Sequence, residues 1–208
     1  MALALAEAMP APLVVVDTKW DPNLLTWAKR NKIKIWTKPD PPKWQAIKED
    51  ILVRFRASWL SHPEDIDWWL GQAFYCPYVP SIYIDEGYQV GATSRKMGEG
   101  VSGLWTRGRV FGFVTLIGAQ RPVEISKFVV TESDKLYIGS LQTKADRLTI
   151  EAMTGEPDAR IRLPKRSFLF IDHDENICAT LKPLDLDKQG GYSREERYLT
   201  RKKMVRIK

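Results

Sequence analysis

Short apolar runs that do not alternate recur along the chain, and stretches with helical spacing separate them. Leu13-Val14-Val15-Val16 and Ile82-Tyr83-Ile84 are the clearest, and each ends in charge, at Asp17-Thr18-Lys19 and at Asp85-Glu86. A brief continuous apolar run is what a strand needs when both faces of its sheet are covered, as in parallel sheets. Arg109 to Ala119 reads as a third, longer buried strand ending at Gln120, and Lys135 to Gly139 as a fourth. Ile33 to Trp36 alternates and suits an edge strand. The helical segments run from Ala2 to Met9, from Pro22 to about Asn31 with Asp21 as N-cap, and from Trp44 to Leu60. In the last of these, Ile47, Ile51 and Phe55 fall at four-residue steps on one face. Further helices are expected over Glu64 to Tyr75, Val101 to Arg107 and Lys144 to Met153, with a short helix or turn over Ile125 to Val130. In the first of these, Trp68, Trp69, Ala73 and Phe74 face inward.

Strands alternating with helices predict an α/β fold with a mostly parallel, doubly wound sheet. After about residue 155 the character changes. Arg160 to Leu163, Ser167 to Ile171 and Ile177 to Leu181 read as β segments, the last two joined as a hairpin. The expected division is an α/β core over 1–155, a small β-hairpin extension over 156–191 and a basic tail over 192–208.

Composition narrows the class. The 208 residues are 44% hydrophobic and 28% charged, which is ordinary for a globular domain, and the net charge of +6 allows a polyanionic partner. Eight tryptophans are many for this length. Trp44, Trp59, Trp68 and Trp69 are expected to form a packed aromatic cluster. The two cysteines, Cys76 and Cys178, lie far apart without zinc-ligand spacing, so the expected compartment is a reducing cytoplasm. No run approaches the roughly 18 apolar residues of a membrane span, and no direct membrane insertion is expected.

Candidate chemistry sits at the strand ends. A parallel sheet gathers the carboxyl ends of its strands at one edge, where open α/β sheets bind ligands. Asp17-Thr18-Lys19, Asp85-Glu86 and Gln120 would therefore meet in one crevice. Paired carboxylates beside a neutral amide suit phosphoryl transfer: Asp85 on the Mg²⁺ side, Glu86 polarising a water, Gln120 sensing the γ-phosphate. An acidic turn and a strand-end cap are the plain alternatives.

These pieces resemble the FtsK/HerA superfamily of RecA-like DNA-translocating ATPases, and most closely its viral genome-packaging branch. The resemblance rests on Val14-Val15-Val16-Asp17-Thr18-Lys19, Ile82-Tyr83-Ile84-Asp85-Glu86, Arg107-Gly108-Arg109 and Gly118-Ala119-Gln120-Arg121-Pro122. They match a strand ending D-x-K, a Walker B strand ending D-E, a G-R-K-like lead into the next strand and a strand ending T-Q-R-P. The resemblance covers roughly residues 1–153. Ala119 replaces the family's usual Thr, and Val110 its common Lys.

What the resemblance implies is a RecA-like P-loop NTPase core using ATP and Mg²⁺. Glu86, Gln120 and Arg109 would be catalytic, with Arg109 the finger offered to a neighbouring subunit and Arg107 and Arg147 the rival fingers. Asp17, Lys19 and Asp85 would bind the cofactor, Asp85 holding the metal through water. Arg95, Lys96 and Arg107 would contact DNA phosphates, as would the basic tail. The expected partners are double-stranded DNA, a homo-oligomeric ring of five or six subunits and capsid vertex proteins, in the host cytoplasm or with the virion. The expected activity is ATP-driven packaging of double-stranded DNA into a capsid. The alternatives are a cellular or plasmid HerA-like translocase and a non-hydrolysing DNA-binding module. The phosphate loop G-x-x-x-x-G-K-S/T does not occur in these residues. The resemblance implies that it and its strand lie upstream of Met1.

Overall fold

The computed structural model describes residues 2–76, 78, 80–90, 97–165 and 167–181. Arg95, Lys96 and the basic tail lie outside these residues. The chain opens with α1 (Ala2–Glu7), β1 (Leu13–Asp17), α2 (Pro22–Arg30) and β2 (Lys34–Trp36). Asp21 caps α2 as expected, its side chain accepting from the Asn23 N–H, with Pro22 in the first turn. Next come β3 (Ile51–Arg54), α3 (Ala57–Leu60), α4 (Pro63–Gly71), β4 (Ser81–Ile84), α5 (Glu99–Thr106), α6 (Gly108–Phe111) and β5 (Val114–Ile117). The chain then continues through α7 (Lys127–Thr131), β6 (Lys135–Ile138), α8 (Lys144–Thr154), β7 (Phe168–Asp172) and β8 (Ile177–Leu181).

Five strands form an all-parallel sheet in the order β2-β3-β1-β4-β5. The absence of alternation in β1 has a direct cause. Val14 and Val16 pack into one core with Ile51, Val53, Ile82, Ile84, Ile66 and Leu70. Leu13 and Val15 pack into the opposite core with Leu24, Trp27, Ala28, Leu52 and Tyr83. Every residue of β1, β3 and β4 is buried. β2 is an edge strand, as its alternation predicts.

The expected helix over Trp44 to Leu60 is overturned. Trp44–Ala46 is a single 3-10 turn, Ile51–Arg54 is the second strand in from the edge, and only Ala57–Leu60 is helical. Ile51 and Val53 feed one core and Leu52 the other, so this run is buried on both faces rather than along one stripe. The Asp50 carboxylate accepts the Leu13 N–H at 2.9 Å and ties the start of β3 to the start of β1. Parallel pairing on both sides outweighs the helical spacing of Ile47, Ile51 and Phe55.

The aromatic cluster forms, minus one member. Trp44 stacks on Trp69 with centroids 4.6 Å apart, and Phe55 meets Trp69 at 5.4 Å and Trp59 at 5.8 Å. Trp68 is 63% exposed and faces away from the core, contrary to expectation. It neighbours Asp67, whose buried carboxylate accepts the Gly100 and Val101 N–H groups and so caps α5 from α4.

The long strand expected over Arg109 to Ala119 is also corrected. Gly108–Phe111 is a short helix, ended by Gly112 at φ 81, and the strand is only Val114–Ile117 at the sheet edge. The Phe113 N–H returns to the Gly108 carbonyl at 2.9 Å, a helix-terminating turn. Arg109 therefore sits on α6, one element before β5.

The last three strands form a separate antiparallel sheet, β6-β7-β8. The β7–β8 hairpin appears as expected, and β6 joins it antiparallel along Lys135–Ile138. Lys135 forms an ion pair with Asp172 across that pairing. The expected β segment over Arg160 to Leu163 is absent: Pro157–Arg160 is a 3-10 turn and the residues after it are not strand. Pro157 fixes φ and cannot donate to a ladder, which favours the turn.

Candidate functional site

β1 and β4 are parallel neighbours in the register Val16↔Ile84, so Asp17-Thr18-Lys19 and Asp85-Glu86 emerge side by side. β4 and β5 pair at Ile84↔Ile117, which brings Gly118 to the same edge. The two strand ends clasp through the backbone: the Gly118 N–H donates to the Ile84 carbonyl and the Gly87 N–H to the Gly118 carbonyl, both at 2.8 Å. A Cβ on Gly118 would stand 2.6 Å from the Asp85 carbonyl oxygen, and one on Gly87 would stand 2.5 Å from Ile117 Cδ1. At Gly118 the obstacle is backbone, so only glycine permits this approach.

Glu86 is 1% exposed. Its Oε2 is ion-paired with Lys19 Nζ. Its Oε1 is buried and, among the described residues, takes no hydrogen bond. A carboxylate held on one oxygen and unsatisfied on the other is costly as pure scaffolding and suits a group that accepts a hydrogen bond from a ligand or water.

Asp85 is half-buried. Its Oδ1 accepts the Tyr83 hydroxyl at 2.9 Å from the same face of β4. Burial holds its carboxyl above the ordinary range, against the opposing pull of the Tyr83 hydroxyl and the Lys19 charge. The Tyr83 hydroxyl is itself pushed up, by burial first and by the Asp85 charge second. Asp85 is thus a partly solvated carboxylate at the sheet edge beside a buried one, two environments for two acids.

Asp17 is different. It is fully buried, with Oδ2 accepting Arg54 Nε at 2.8 Å and Oδ1 accepting the Lys19 and Asp21 N–H groups at 3.2 and 3.1 Å. Both of its oxygens are engaged within the fold. It shapes the loop that carries Lys19. Arg54 was hidden from sequence reasoning by the helical reading of its segment; its signal is the single charge ending the run Ile51-Leu52-Val53.

Gln120 is exposed at the bend that follows β5, two residues past the clasp. The arginines are scattered. Because β4 and β5 are parallel, Arg109, which precedes β5, approaches the amino edge of the sheet, opposite Glu86. Within the chain it is ion-paired to Asp134, and it lies 3.9 Å from Asp174. The Arg107 guanidinium lies over the Phe74 ring at 5.4 Å, and Arg147 donates to the Leu141 and Gln142 carbonyls. The structure therefore brings together Lys19, Asp85, Glu86 and the start of the Gln120 bend, with Asp17 behind them, and leaves Arg107, Arg109 and Arg147 apart. Among the described residues no group of three or more His, Cys, Asp or Glu is placed to hold a metal ion, and no helix is long and apolar enough to cross a membrane.

No family model matches the chain. The DNA packaging ATPase of Enterobacteria phage PRD1 is 27% identical over 112 residues, covering 50% of this chain and 48% of that protein. The chain thus spans about half the length of the curated relative it matches. Among solved structures, the genome packaging NTPase of Sulfolobus turreted icosahedral virus 2 in complex with sulfate superposes with a TM-score of 0.60 at 15% identity, over 83% of this chain and 96% of that one. Its complex with ATP-γS gives 0.57 at 14% identity, over 83% and 97%. The DNA-packaging ATPase of Sulfolobus turreted icosahedral virus gives 0.55 at 13% identity, over 83% and 97%. At such identities the likeness is one of fold. The chain is similar to viral genome-packaging ATPases and NTPases, in sequence to that of one virus and in fold to those of two others.

Proposed function

We propose that this chain is the ATPase of a viral genome-packaging motor, translocating double-stranded DNA as a ring of identical subunits. The observation that carries the reading is Glu86, a buried carboxylate with one oxygen on Lys19 and the other unsatisfied, at the carboxyl edge of a parallel sheet shared in fold with packaging NTPases.

In this reading Glu86 accepts a proton from the attacking water, and Lys19 holds the carboxylate in place. Gln120, just past the β4–β5 clasp, reports the state of the γ-phosphate to the rest of the chain. Asp85 fits Mg²⁺, a cation held by one or two carboxylates with its own waters and substrate phosphates completing the shell. Asp17 serves the site indirectly by fixing the Lys19 loop. Arg109, exposed at the opposite edge of the sheet, is offered to a neighbour's site, where a finger in trans raises the rate by orders of magnitude. Arg95, Lys96, Arg107 and the basic tail contact DNA phosphates. The outer edge of β5 has no partner strand among the described residues. A strand docked there and followed by a phosphate loop would bring backbone N–H groups to the same sheet edge as Glu86.

The test is DNA-stimulated ATPase activity, measured on the 208-residue chain and on one carrying a strand and phosphate loop ahead of residue 1. Turnover in the extended, DNA-assembled protein is expected. Glu86→Gln should lower it by about a hundredfold or more while nucleotide binding is kept. Absence of turnover in both chains, with DNA still bound, would instead identify a non-hydrolysing DNA-binding module. Turnover that survives Glu86→Gln would remove Glu86 as the base.

A further inference from the structure

The other half of the carboxyl edge carries a cleft that the phosphoryl-transfer reading does not use. It is a wide, open cleft of about 820 Å³ lined by Trp20, Thr37, Arg56, Ser58 and Leu60. The lining comes from the segments that follow β1, β2 and β3. The sheet order places these on the far side of β1 from β5.

Trp20 is held there at a cost. Its backbone is left-handed, at φ 58, a conformation that bulky side chains rarely adopt. The backbone on either side is fixed by Asp17, which accepts the Lys19 and Asp21 N–H groups. The indole N–H donates to the Phe55 carbonyl. The Arg54 guanidinium, itself tied to Asp17, lies 4.5 Å from the ring centroid. Yet the clamped ring is 44% exposed. The ring thus covers the buried Asp17–Arg54 pair on one side and leaves nearly half of the residue open to solvent.

The remaining walls have a definite chemistry. Leu60 is apolar, Thr37 and Ser58 bring hydroxyls, and Arg56 brings a permanent cation whose Nε donates to the Thr37 carbonyl at 3.4 Å. None of the five lining residues is acidic. Directly beside Thr37 the pattern repeats, with Lys38 Nζ 4.9 Å from the centre of the Trp36 ring. A half-exposed aromatic ring beside a cation is a pairing that proteins use to hold unpaired nucleotides without reading their sequence.

We infer that the Trp20–Arg56 cleft binds one nucleotide of a single DNA strand, with its base stacked on the Trp20 indole and its phosphate on the Arg56 guanidinium. The packaging reading supplies DNA only as a duplex; the single strand goes beyond that reading and rests on the stacking surface, since a paired base has no free face to offer Trp20.

The experiment is fluorescence anisotropy of the 208-residue chain with a labelled oligothymidylate, without ATP, titrated with salt. Free thymidine monophosphate and a blunt duplex are run as competitors. Arg56→Gln should weaken oligonucleotide binding and reduce the slope of log K against log salt by about 0.7, the share of one phosphate on a single strand. Trp20→Ala should weaken binding about tenfold. Since it also frees Arg54 and the Phe55 carbonyl, Ser58→Glu is run beside it. This change adds a negative charge at an exposed position, leaves Trp20 untouched, and should weaken binding by about as much as Trp20→Ala. Circular-dichroism melts check that each variant folds. Wild-type affinity and salt slope in both Arg56→Gln and Ser58→Glu would overturn the proposal. So would binding of the monophosphate without the strand, which would mark a mononucleotide site. Duplex binding as tight as strand binding, and equally sensitive to the variants, would mark a duplex contact and would also overturn it. ATP turnover is not read, so failure here leaves the Glu86 reading untouched.

Discussion

At the scale of single residues, Asp17 and Asp85, both near Lys19, have opposite circumstances. Asp17 is sealed in and satisfied, with Arg54 as its charged partner at 7% side-chain exposure. Removing one member of a buried pair leaves the other charged and unsolvated, so Arg54→Met should cost about 3 kcal/mol of stability in chemical denaturation. It should also release the Trp20 ring. Asp85 carries a carboxyl raised by burial, so the folded protein holds its proton more tightly than the unfolded chain does. Its contribution is therefore full below the ordinary carboxylate range and is lost as pH rises through the raised value. Asp85→Asn does not titrate, so the mutant should gain stability relative to wild type as pH goes from about 3 to about 7. Urea midpoints across that range measure the difference, and a constant difference would contradict it.

Among the elements, the β4–β5 junction is the tightest point of the site. Gly118 lets the two strand ends exchange hydrogen bonds with no room for a methyl group. Gly118→Ala should cost about 1–3 kcal/mol and shift the bend carrying Gln120, and so lower turnover more than nucleotide binding. Hydrogen exchange at the Gly87 amide would report the opening of the clasp. The same junction explains why the Asp85-Glu86 turn was readable. A strand buried on both faces leaves an unbroken apolar run, and its first polar residues mark the sheet edge. β3 is buried in the same way, but its apolar residues share spacing with Ile47 and Phe55, and local period cannot separate the two readings. α6 was missed for a related reason. Val110, Phe111, Phe113 and Val114 are apolar on both sides of Gly112, and the left-handed turn at that glycine divides helix from strand.

Across the whole molecule, Glu86 and Arg109 lie at opposite edges of one sheet, and a ring provides a way for such residues to meet. If each active site takes Glu86 from one subunit and Arg109 from its neighbour, Glu86→Gln and Arg109→Ala should each be inactive alone. Mixing the two proteins on DNA should then restore a fraction of wild-type turnover, because some interfaces pair an intact Glu86 with an intact Arg109. No recovery on mixing would place the finger elsewhere, with Arg107 and Arg147 next in line. Native mass spectrometry of the DNA-bound protein counts the subunits in the same samples.

The sequence by itself determined the parallel α/β core through β1 and β4, the Asp21-Pro22 helix start, the terminal hairpin and the carboxylates at the end of β4. Each of these is a local signal: a run, a cap, a turn, a charge after apolar residues. Tertiary structure decided the rest. It turned Asp17 inward onto Arg54 and paired Lys19 with Glu86. It made β3 a strand and set Arg109 on a helix at the far edge of the sheet. Those outcomes depend on which strand lies beside which, and that order is set by the burial of both sheet faces together, which no window along the chain contains.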